Sequence, residues 1–240
     1  MTTFYDKFDF AWPWIGLGIA LPMLVILFFT NIFRRDITKP FYKDYYWWGW
    51  LAVPLYLLHQ FEEYALHIDV STMSYKIVED VCRAQYAGKE CLIPLVHYPV
   101  VNIALVWLAA PIAAFMGKRN PMMALTFYGF ILVNGIVHLL TVLVIDKVPL
   151  YESPGAFTGI FLFIPISIWI SYVHPKNNVL TGKEMIISMF GGVVGHIGLF
   201  LAYQAVKISG PMTMLVTDVI VVFLPILIVY PLSRRFRNAT

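Results

Sequence analysis

The sequence contains little charge for its length. Of its 240 residues, 60% are hydrophobic and only 13% are charged, whereas soluble domains carry about 25% charged residues. The mean hydropathy is +0.73. A chain with so few polar side chains cannot cover itself with a polar surface in water, which excludes a soluble globular domain. The composition predicts an integral membrane protein whose solvent is the bilayer.

Residue types that often carry chemistry are also scarce, with six histidines and two cysteines. The histidines form no H-x-x-H-H or H-x-x-x-H cluster, and membrane lipid oxidases with a di-iron centre show several, so iron is less favoured than zinc. No internal repeat is visible, which counts against the inverted-repeat architecture of many carriers. The net charge of +3 is concentrated at helix ends and does not indicate nucleic-acid binding.

Apolar segments of about 20 residues, the length that crosses a bilayer, recur along the chain. The breaks between them are rich in Arg, Lys, Asn, Gly and Pro. We therefore predict a single all-α transmembrane bundle over residues 1–240. Its seven spans cover 12–33, 46–66, 97–117, 121–145, 155–173, 184–206 and 211–232.

Lysine and arginine are distributed unequally between the two sides of this bundle. The N-terminus and the loops after helices two, four and six hold six of them, and the other ends hold eleven. This excess predicts a cytoplasmic C-terminus and an N-terminus outside. Cys82 and Cys91 lie in the long outer loop 67–96, where disulfides persist. They are a candidate bridge, with two free surface cysteines as the alternative.

The second span carries ionisable residues, which are costly in a membrane and mark candidate sites. His59, Glu62 and Glu63 are spaced i, i+3 and i+4, so an α-helix places them on one face. A histidine that faces two carboxylates can bind a metal or share a proton. The alternative is a helix end at which both glutamates reach water, but such an end does not require a histidine a full turn deeper.

Three later spans carry further polar residues. Asn134 and His138 are i, i+4 on the fourth span and share a face, where a hydrogen bond between neighbouring helices is the alternative role. His196 follows a glycine-rich stretch of the sixth span that allows close helix packing, and a packed, hydrogen-bonded histidine is the alternative there. Asp218 is the intramembrane acid of the seventh span.

These residues share a similar predicted depth in the membrane. At a rise of 1.5 Å per residue from the predicted outer ends, they lie about 5 to 15 Å deep. Four helices thus place ionisable side chains in one layer of the outer half of the bilayer, which predicts one site. The expected metal ligands are His59, Glu62, His138 and His196. The expected catalytic residues are Glu62, Glu63, Asn134 and Asp218.

The other histidines and the aromatic residues have simpler interpretations. His97 begins the third span near the outer surface and is not expected to be a ligand, and His174 at a helix end is expected to be solvated. Aromatic residues are typical of membrane interfaces. We interpret these as interfacial belts: Trp12, Trp14, Tyr42, Tyr45, Tyr46, Trp47, Trp48 and Trp50.

Three short motifs occur in order along the spans: H-x-x-E-E at 59–63, N-x-x-x-H at 134–138 and Y-E-S-P-G at 151–155. In this order they resemble the HXXEE family of small integral membrane proteins, which share H-x-x-E-E, N-x-x-x-H and Y-x-P-G motifs and are functionally uncharacterised. The resemblance covers roughly residues 50–175. It departs at the third motif, where Tyr151 precedes Pro154 by three positions instead of two. It supports the residues of the first two motifs as a site and implies no reaction.

The first functional hypothesis is a membrane-embedded, metal-dependent enzyme that acts on a membrane lipid or another hydrophobic small molecule. Three histidines and a carboxylate from several helices suit a zinc site that keeps one position open. A second carboxylate can then act as a general base.

Two alternatives without a cofactor stay open. In the first, Glu62 or Glu63 protonates a sterol or terpenoid substrate and His59 or Asp218 takes up a proton, as in an isomerase or cyclase. In the second, the chain is a proton-coupled carrier or a structural membrane protein in which the same residues form a relay.

Overall fold

The computed structural model describes residues 4–69, 74–86, 89–145 and 147–238. This part of the chain is helical apart from one hairpin and the connecting turns. The hairpin pairs β1 (Ile68–Asp69) antiparallel with β2 (Ser74–Tyr75). The helices are α1 (Phe4–Phe29), α2 (45–65), α3 (Lys76–Tyr86), α4 (His97–Gly117), α5 (Pro121–Ile145), α6 (Ala156–Lys176), α7 (Gly182–Ser209) and α8 (Pro211–Asn238).

Six helices, α1 and α4 to α8, are long and apolar enough to cross a membrane. The prediction of a multi-pass α-helical membrane protein is thereby confirmed. Two predicted spans, 97–117 and 121–145, coincide with α4 and α5. The last three helices end three to six residues later than the predicted spans.

Helix α2, the second predicted span, differs in character from those six. It consists of an α-helix, Tyr45–Gln60, continued by a π-helical turn, Phe61–Ala65. Its polar and aromatic residues lower its hydropathy, yet almost all of its side chains are buried, and it packs against α1, α4 and α5. Protein rather than lipid therefore surrounds α2, which makes its ionisable residues tolerable.

The first predicted span begins within two residues of the apolar span found, Phe10–Phe29, but ends four residues too late. Helix α1 runs from Phe4 to Phe29, whereas 12–33 was expected. Residues 30–44 form a folded connection to α2. Asp44 caps the N-terminus of α2, because its Oδ1 accepts hydrogen bonds from the backbone N–H groups of Tyr46 and Trp47. Arg34 forms an ion pair with the same carboxylate at 3.4 Å. The chain therefore turns toward the start of α2 instead of extending α1.

Helices α5 and α7 pack with their backbones in contact. A Cβ at Gly129 would lie 1.9 Å from the carbonyl oxygen of Met189, and one at Gly192 would lie 2.0 Å from the backbone nitrogen of Phe130. Only glycine fits at this crossing. Helix α6 packs on α5, α7 packs on α8, and α8 contacts α4, so the crossing holds together the half of the bundle that follows α4.

The long connection between α2 and α4 is more ordered than a plain loop. It contains the hairpin and helix α3, which the sequence analysis did not identify. Cys82 on α3 and Cys91 are joined by a disulfide with their Cα atoms 5.5 Å apart, so the predicted bridge is confirmed. The amide of Gln204 on α7 donates to Oε1 of Gln85 at 2.8 Å, which fastens α3 to the bundle.

Two interpretations of surface residues were wrong. Most of the supposed aromatic belt belongs to the core, with exposures of 7% or less for Trp12, Tyr45, Tyr46, Trp47 and Trp48. His174, expected in solvent, is also fully buried. These side chains turn inward because α2 is enclosed by other helices instead of lying at the edge of the bundle.

The crossing of α5 and α7 yields a stability prediction. Gly192→Ala should lower the free energy of unfolding by at least about 2 kcal/mol, since the added Cβ overlaps with backbone that cannot move independently. Thermal unfolding of the detergent-solubilised protein measures this. Gly18→Ala on α1 is the matched control, because a Cβ there meets no described atom within 4 Å. An equally small effect of both changes would contradict the packing.

Candidate functional site

Three buried side chains from two helices converge: His59 and Glu63 on α2, and His138 on α5. The ligating atoms that they offer all lie within 4.8 Å of one another. Nε2 of His59 lies 3.7 Å from Oε2 of Glu63, and Nε2 of His138 lies 3.6 Å from Oε1. The two imidazole ring centroids are 4.9 Å apart. Both rings therefore point one nitrogen at the same carboxylate.

His59 is held by the start of α6. Its Nδ1 is hydrogen-bonded to the hydroxyl of Thr158 at 2.7 Å, and that hydroxyl donates to the carbonyl oxygen of Gly155 at 3.4 Å. The contact with Thr158 occupies Nδ1 and leaves Nε2 on the opposite side of the ring. No described residue is hydrogen-bonded to Nε2. A buried ring nitrogen thus faces Glu63 and His138 without a hydrogen-bonding partner among the described residues.

Gly155, the last residue of the Y-x-x-P-G segment, lies against both imidazoles. Its φ is +70°, and a Cβ there would lie 2.6 Å from Cε1 of His59 and 2.9 Å from Cε1 of His138. The position needs glycine both for its left-handed backbone and for the space. Tyr151 of the same motif is 78% exposed, so its side chain lies at the surface.

Glu62 has a different role from Glu63. Its Oε1 accepts a hydrogen bond from the backbone N–H of Phe157 at 2.8 Å, and its Oε2 accepts one from the N–H of Thr158 at 2.7 Å. The carboxylate thus binds the first turn of α6, where the amides have no partner within the helix and the helix dipole favours negative charge. Glu62 was predicted to be a metal ligand, but the structure brings Glu63, not Glu62, into the group of three.

Glu62 and Glu63 both lie in the π-helical turn Phe61–Ala65. A π turn inserts an extra residue into the helical path and occurs often at functional sites. It begins two residues after His59. The carboxylate of Glu62 binds α6, whereas that of Glu63, at i+4, faces His59.

Two other predicted residues, His196 and Asn134, do not belong to this group. His196 on α7 is buried, with its ring centroid 4.2 Å from that of Phe130. It interacts electrostatically with His59 and His138 but is not in the group of three. Asn134 is half-buried, and its Oδ1 is hydrogen-bonded to no residue that the structure describes. Neither one is brought into contact with the carboxylate of Glu63 as a ligand.

Asp218 belongs to a second buried pair. Its Oδ2 lies 2.6 Å from Nδ1 of His97, and neither residue is more than 1% exposed. Nε2 of His97 lies 3.4 Å from the hydroxyl of Tyr203. Tyr203 therefore lies beside this pair. The sequence pattern indicates Asp218 but not its partner, because 121 positions separate the two residues.

A comparison with protein families matched the profile described as "Protein of unknown function with HXXEE motif" to residues 50–170, half of the chain. The chain belongs to the HXXEE family. The searches of curated proteins and of solved structures found no match. In this HXXEE protein, His59 and Glu63 of the motif that names the family belong to the site. His138 of the second motif joins them, and Gly155 of the third lies against both imidazole rings.

The contrasting roles of Glu62 and Glu63 predict different effects on stability in the presence of a metal chelator. Glu62→Gln should lower the free energy of unfolding by about 1–3 kcal/mol, because two backbone N–H groups lose a charged acceptor. Glu63→Gln should leave it unchanged or raise it, because neutralising a buried carboxylate removes a desolvation cost. Thermal unfolding of the two isosteric variants measures the difference. The reverse order of stability would refute these assignments.

Proposed function

We propose that this HXXEE protein is a seven-span membrane enzyme that binds one metal ion, most suitably zinc, and acts on a hydrophobic substrate. The observation that carries the proposal is the buried group of His59, Glu63 and His138, with donor atoms within 4.8 Å of one another. A metal site needs deprotonated ligands, and Nε2 of His59, which is hydrogen-bonded to no described residue, would be such a ligand in the tautomer with its proton on Nδ1.

The distances within the group suit a metal better than a direct hydrogen bond. At 3.6 and 3.7 Å, both N–O separations exceed the range of a hydrogen bond. Two ligands that bind one tetrahedral zinc at 2.0–2.2 Å are about 3.4 Å apart. The hydrogen bond between Nδ1 of His59 and Thr158 is the second interaction that a ligating histidine usually makes, and it fixes the ring.

Two histidines and one carboxylate form a ligand set typical of catalytic zinc, which leaves one position open for water or substrate. A metal bound there would act as a Lewis acid on a polarised oxygen of the substrate. The chain's own residues would orient the reaction: Thr158 and Gly155 fix the His59 ring, and Glu62 anchors α6. His196 and Asn134 would contact the substrate instead of the metal.

The surroundings of the site favour a substrate that arrives from the bilayer. The side chains of Glu63 and His138 are 10% and 7% exposed and that of His59 is 0% exposed, so the group is largely enclosed by protein. Phe157, whose amide binds Glu62, and Phe161, one turn further along α6, are more than half exposed. Large apolar side chains on the helix that contacts the site suit a lipid-like molecule with one polar group.

A metal-free acid–base enzyme is the second candidate, and the buried pair of His97 and Asp218 favours it. A carboxylate that holds Nδ1 of a histidine fixes the tautomer, so the other nitrogen can take up a proton. Tyr203 lies next to that nitrogen. Together with Glu63 this pair would supply both an acid and a base to a sterol or terpenoid substrate, and the metal content of the protein separates the two candidates.

The metal proposal predicts that the purified protein contains one zinc ion per chain. His59→Ala, Glu63→Ala and His138→Ala should each lower the zinc affinity by 10-fold or more, because two remaining ligands do not form a stable site. Metal analysis after dialysis against a weak chelator measures the stoichiometry and the loss.

His174→Ala is the control, since His174 is buried but lies near Asp44 at the opposite end of the bundle. Turnover is tested by incubating wild-type protein and Glu63→Gln with a membrane lipid extract and comparing the lipids by mass spectrometry. Zinc in all the variants, or a lipid profile that is the same with wild-type protein and with Glu63→Gln, would contradict the proposed enzyme.

For the membrane topology we propose seven spans, with α2 as the seventh, the N-terminus outside and the C-terminus in the cytoplasm. The eleven-to-six distribution of Lys and Arg supports this orientation. Cysteines introduced as Thr3→Cys and Asn238→Cys, in a background without the native pair, should react with a membrane-impermeant reagent from opposite sides. Labelling of both from the same side would mean an even number of spans.

A further inference from the structure

A polar cavity of about 480 Å³ lies at the end of the bundle away from the candidate site. Three segments line it: the connection 30–44, the start of α5 at Pro121 and the turn between α6 and α7. Its charged lining residues are Arg35, Asp36, Lys39, Lys43 and Asp44. This volume is within the range of about 300–1,000 Å³ that small-molecule sites occupy.

The connection 30–44 is fixed by its own hydrogen bonds. Oδ2 of Asp44, 1% exposed, accepts hydrogen bonds from the backbone N–H groups of Arg35 and Asp36 at 2.7 and 3.1 Å. The guanidinium of Arg34 donates to the same oxygen and to the backbone carbonyls of Asp36 and Lys39. The cations of this segment are therefore presented to the cavity by a folded backbone.

The carboxylates in the lining already have hydrogen-bonding or charged partners, but two of the cations have no carboxylate partner in the part of the chain that the structure describes. Asp44 accepts from Arg34 and from four backbone N–H groups. Asp36 binds Thr38 and pairs with Lys39 at 3.3 Å, and the hydrogen bonds from Thr38 lower its pKa. Arg35 lies over the ring of Tyr45 at 5.1 Å. Within the described residues, neither the Arg35 guanidinium nor the Lys43 ammonium forms an ion pair.

The position of the cavity fits an anion at the membrane surface. It lies where α2, α5 and α7 begin and α6 ends, which is the level of the lipid headgroups if these helices cross the bilayer. Arg and Lys near such a surface attract anionic lipid, and a guanidinium matches the geometry of phosphate oxygens. We propose that this cavity binds the phosphate group of an anionic lipid headgroup, through Arg35 and Lys43.

The test is native mass spectrometry of the detergent-solubilised full chain with added phosphatidylglycerol, and in a second arm with inorganic phosphate. Arg35→Gln with Lys43→Gln should reduce the bound fraction of phosphatidylglycerol at least about 10-fold, since each basic residue near an anionic headgroup contributes about fivefold. Lys118→Gln is the matched control, because Lys118 is exposed at the same end of the bundle but does not line the cavity. Arg35→Lys should retain part of the binding.

Lipid retention that depends on Arg35 and Lys43 but not on Lys118 supports the proposal. If inorganic phosphate also binds, and its binding also requires Arg35 and Lys43, the cavity recognises phosphate from either source. Weaker binding of inorganic phosphate than of phosphatidylglycerol then shows that the lipid is the preferred ligand. Equal lipid retention by wild type and the double variant overturns the proposal. An unchanged thermal unfolding temperature of the double variant excludes misfolding as the reason for a loss, and neither arm depends on the metal site.

Discussion

The geometry of the site depends on one interaction, in which the carboxylate of Glu62 accepts hydrogen bonds from the first backbone amides of α6. Its two oxygens accept from Phe157 and Thr158, which ties α2 to the N-terminus of α6. Thr158 is thereby placed on Nδ1 of His59, and Gly155 on the rings of His59 and His138. Charge-assisted hydrogen bonds of this kind contribute about 1.5–3 kcal/mol each. A single carboxylate thus positions the side chains of two helices.

Burial makes the charged form of the neighbouring carboxylate costly. An ionised carboxylate that leaves water without compensation is strongly unfavourable and needs either a partner or a proton, and Glu63 faces two imidazoles that carry no fixed charge. A divalent cation among the three would supply the missing charge. The same reasoning applies to Asp218, which has His97 as its partner at 2.6 Å. Asp218 thus has a hydrogen-bonding partner at 2.6 Å, whereas the nearest nitrogens to the carboxylate of Glu63 lie at 3.6 and 3.7 Å.

The sequence was sufficient to predict much of the fold because bilayer thickness imposes a length on apolar segments. The bounds of α4 and α5 followed from the apolar composition of each segment and from the polar residues that separate the segments. The end of the first span was misplaced because Asp44 and Arg34, which fold the following connection, act through contacts that a hydropathy pattern does not contain. Helix α2 formed where expected, but its aromatic side chains are buried because it lies inside the bundle, and only the packing of other helices determines that.

The site was predicted in part for a similar reason. The spacing of His59, Glu62 and Glu63, and of Asn134 and His138, indicated the helix faces that meet. It could not distinguish the two glutamates, because positions i+3 and i+4 both lie on the face of His59, and Glu62 is held by backbone amides of α6 that are distant in sequence. Thr158 carried no signal of its own, and Gly155 is explained only by the two rings that lie against it. His97 was dismissed because its partner is distant in sequence.

The most direct measurement of the central claim is X-ray absorption at the zinc edge of the purified protein. We expect a first shell of nitrogen and oxygen at about 2.0–2.1 Å, with outer-shell scattering from two imidazoles that falls to one in His138→Ala. A first shell that contains sulfur, a spectrum without imidazole scattering, or a protein that binds no metal would contradict the convergence of His59, Glu63 and His138 on a metal ion.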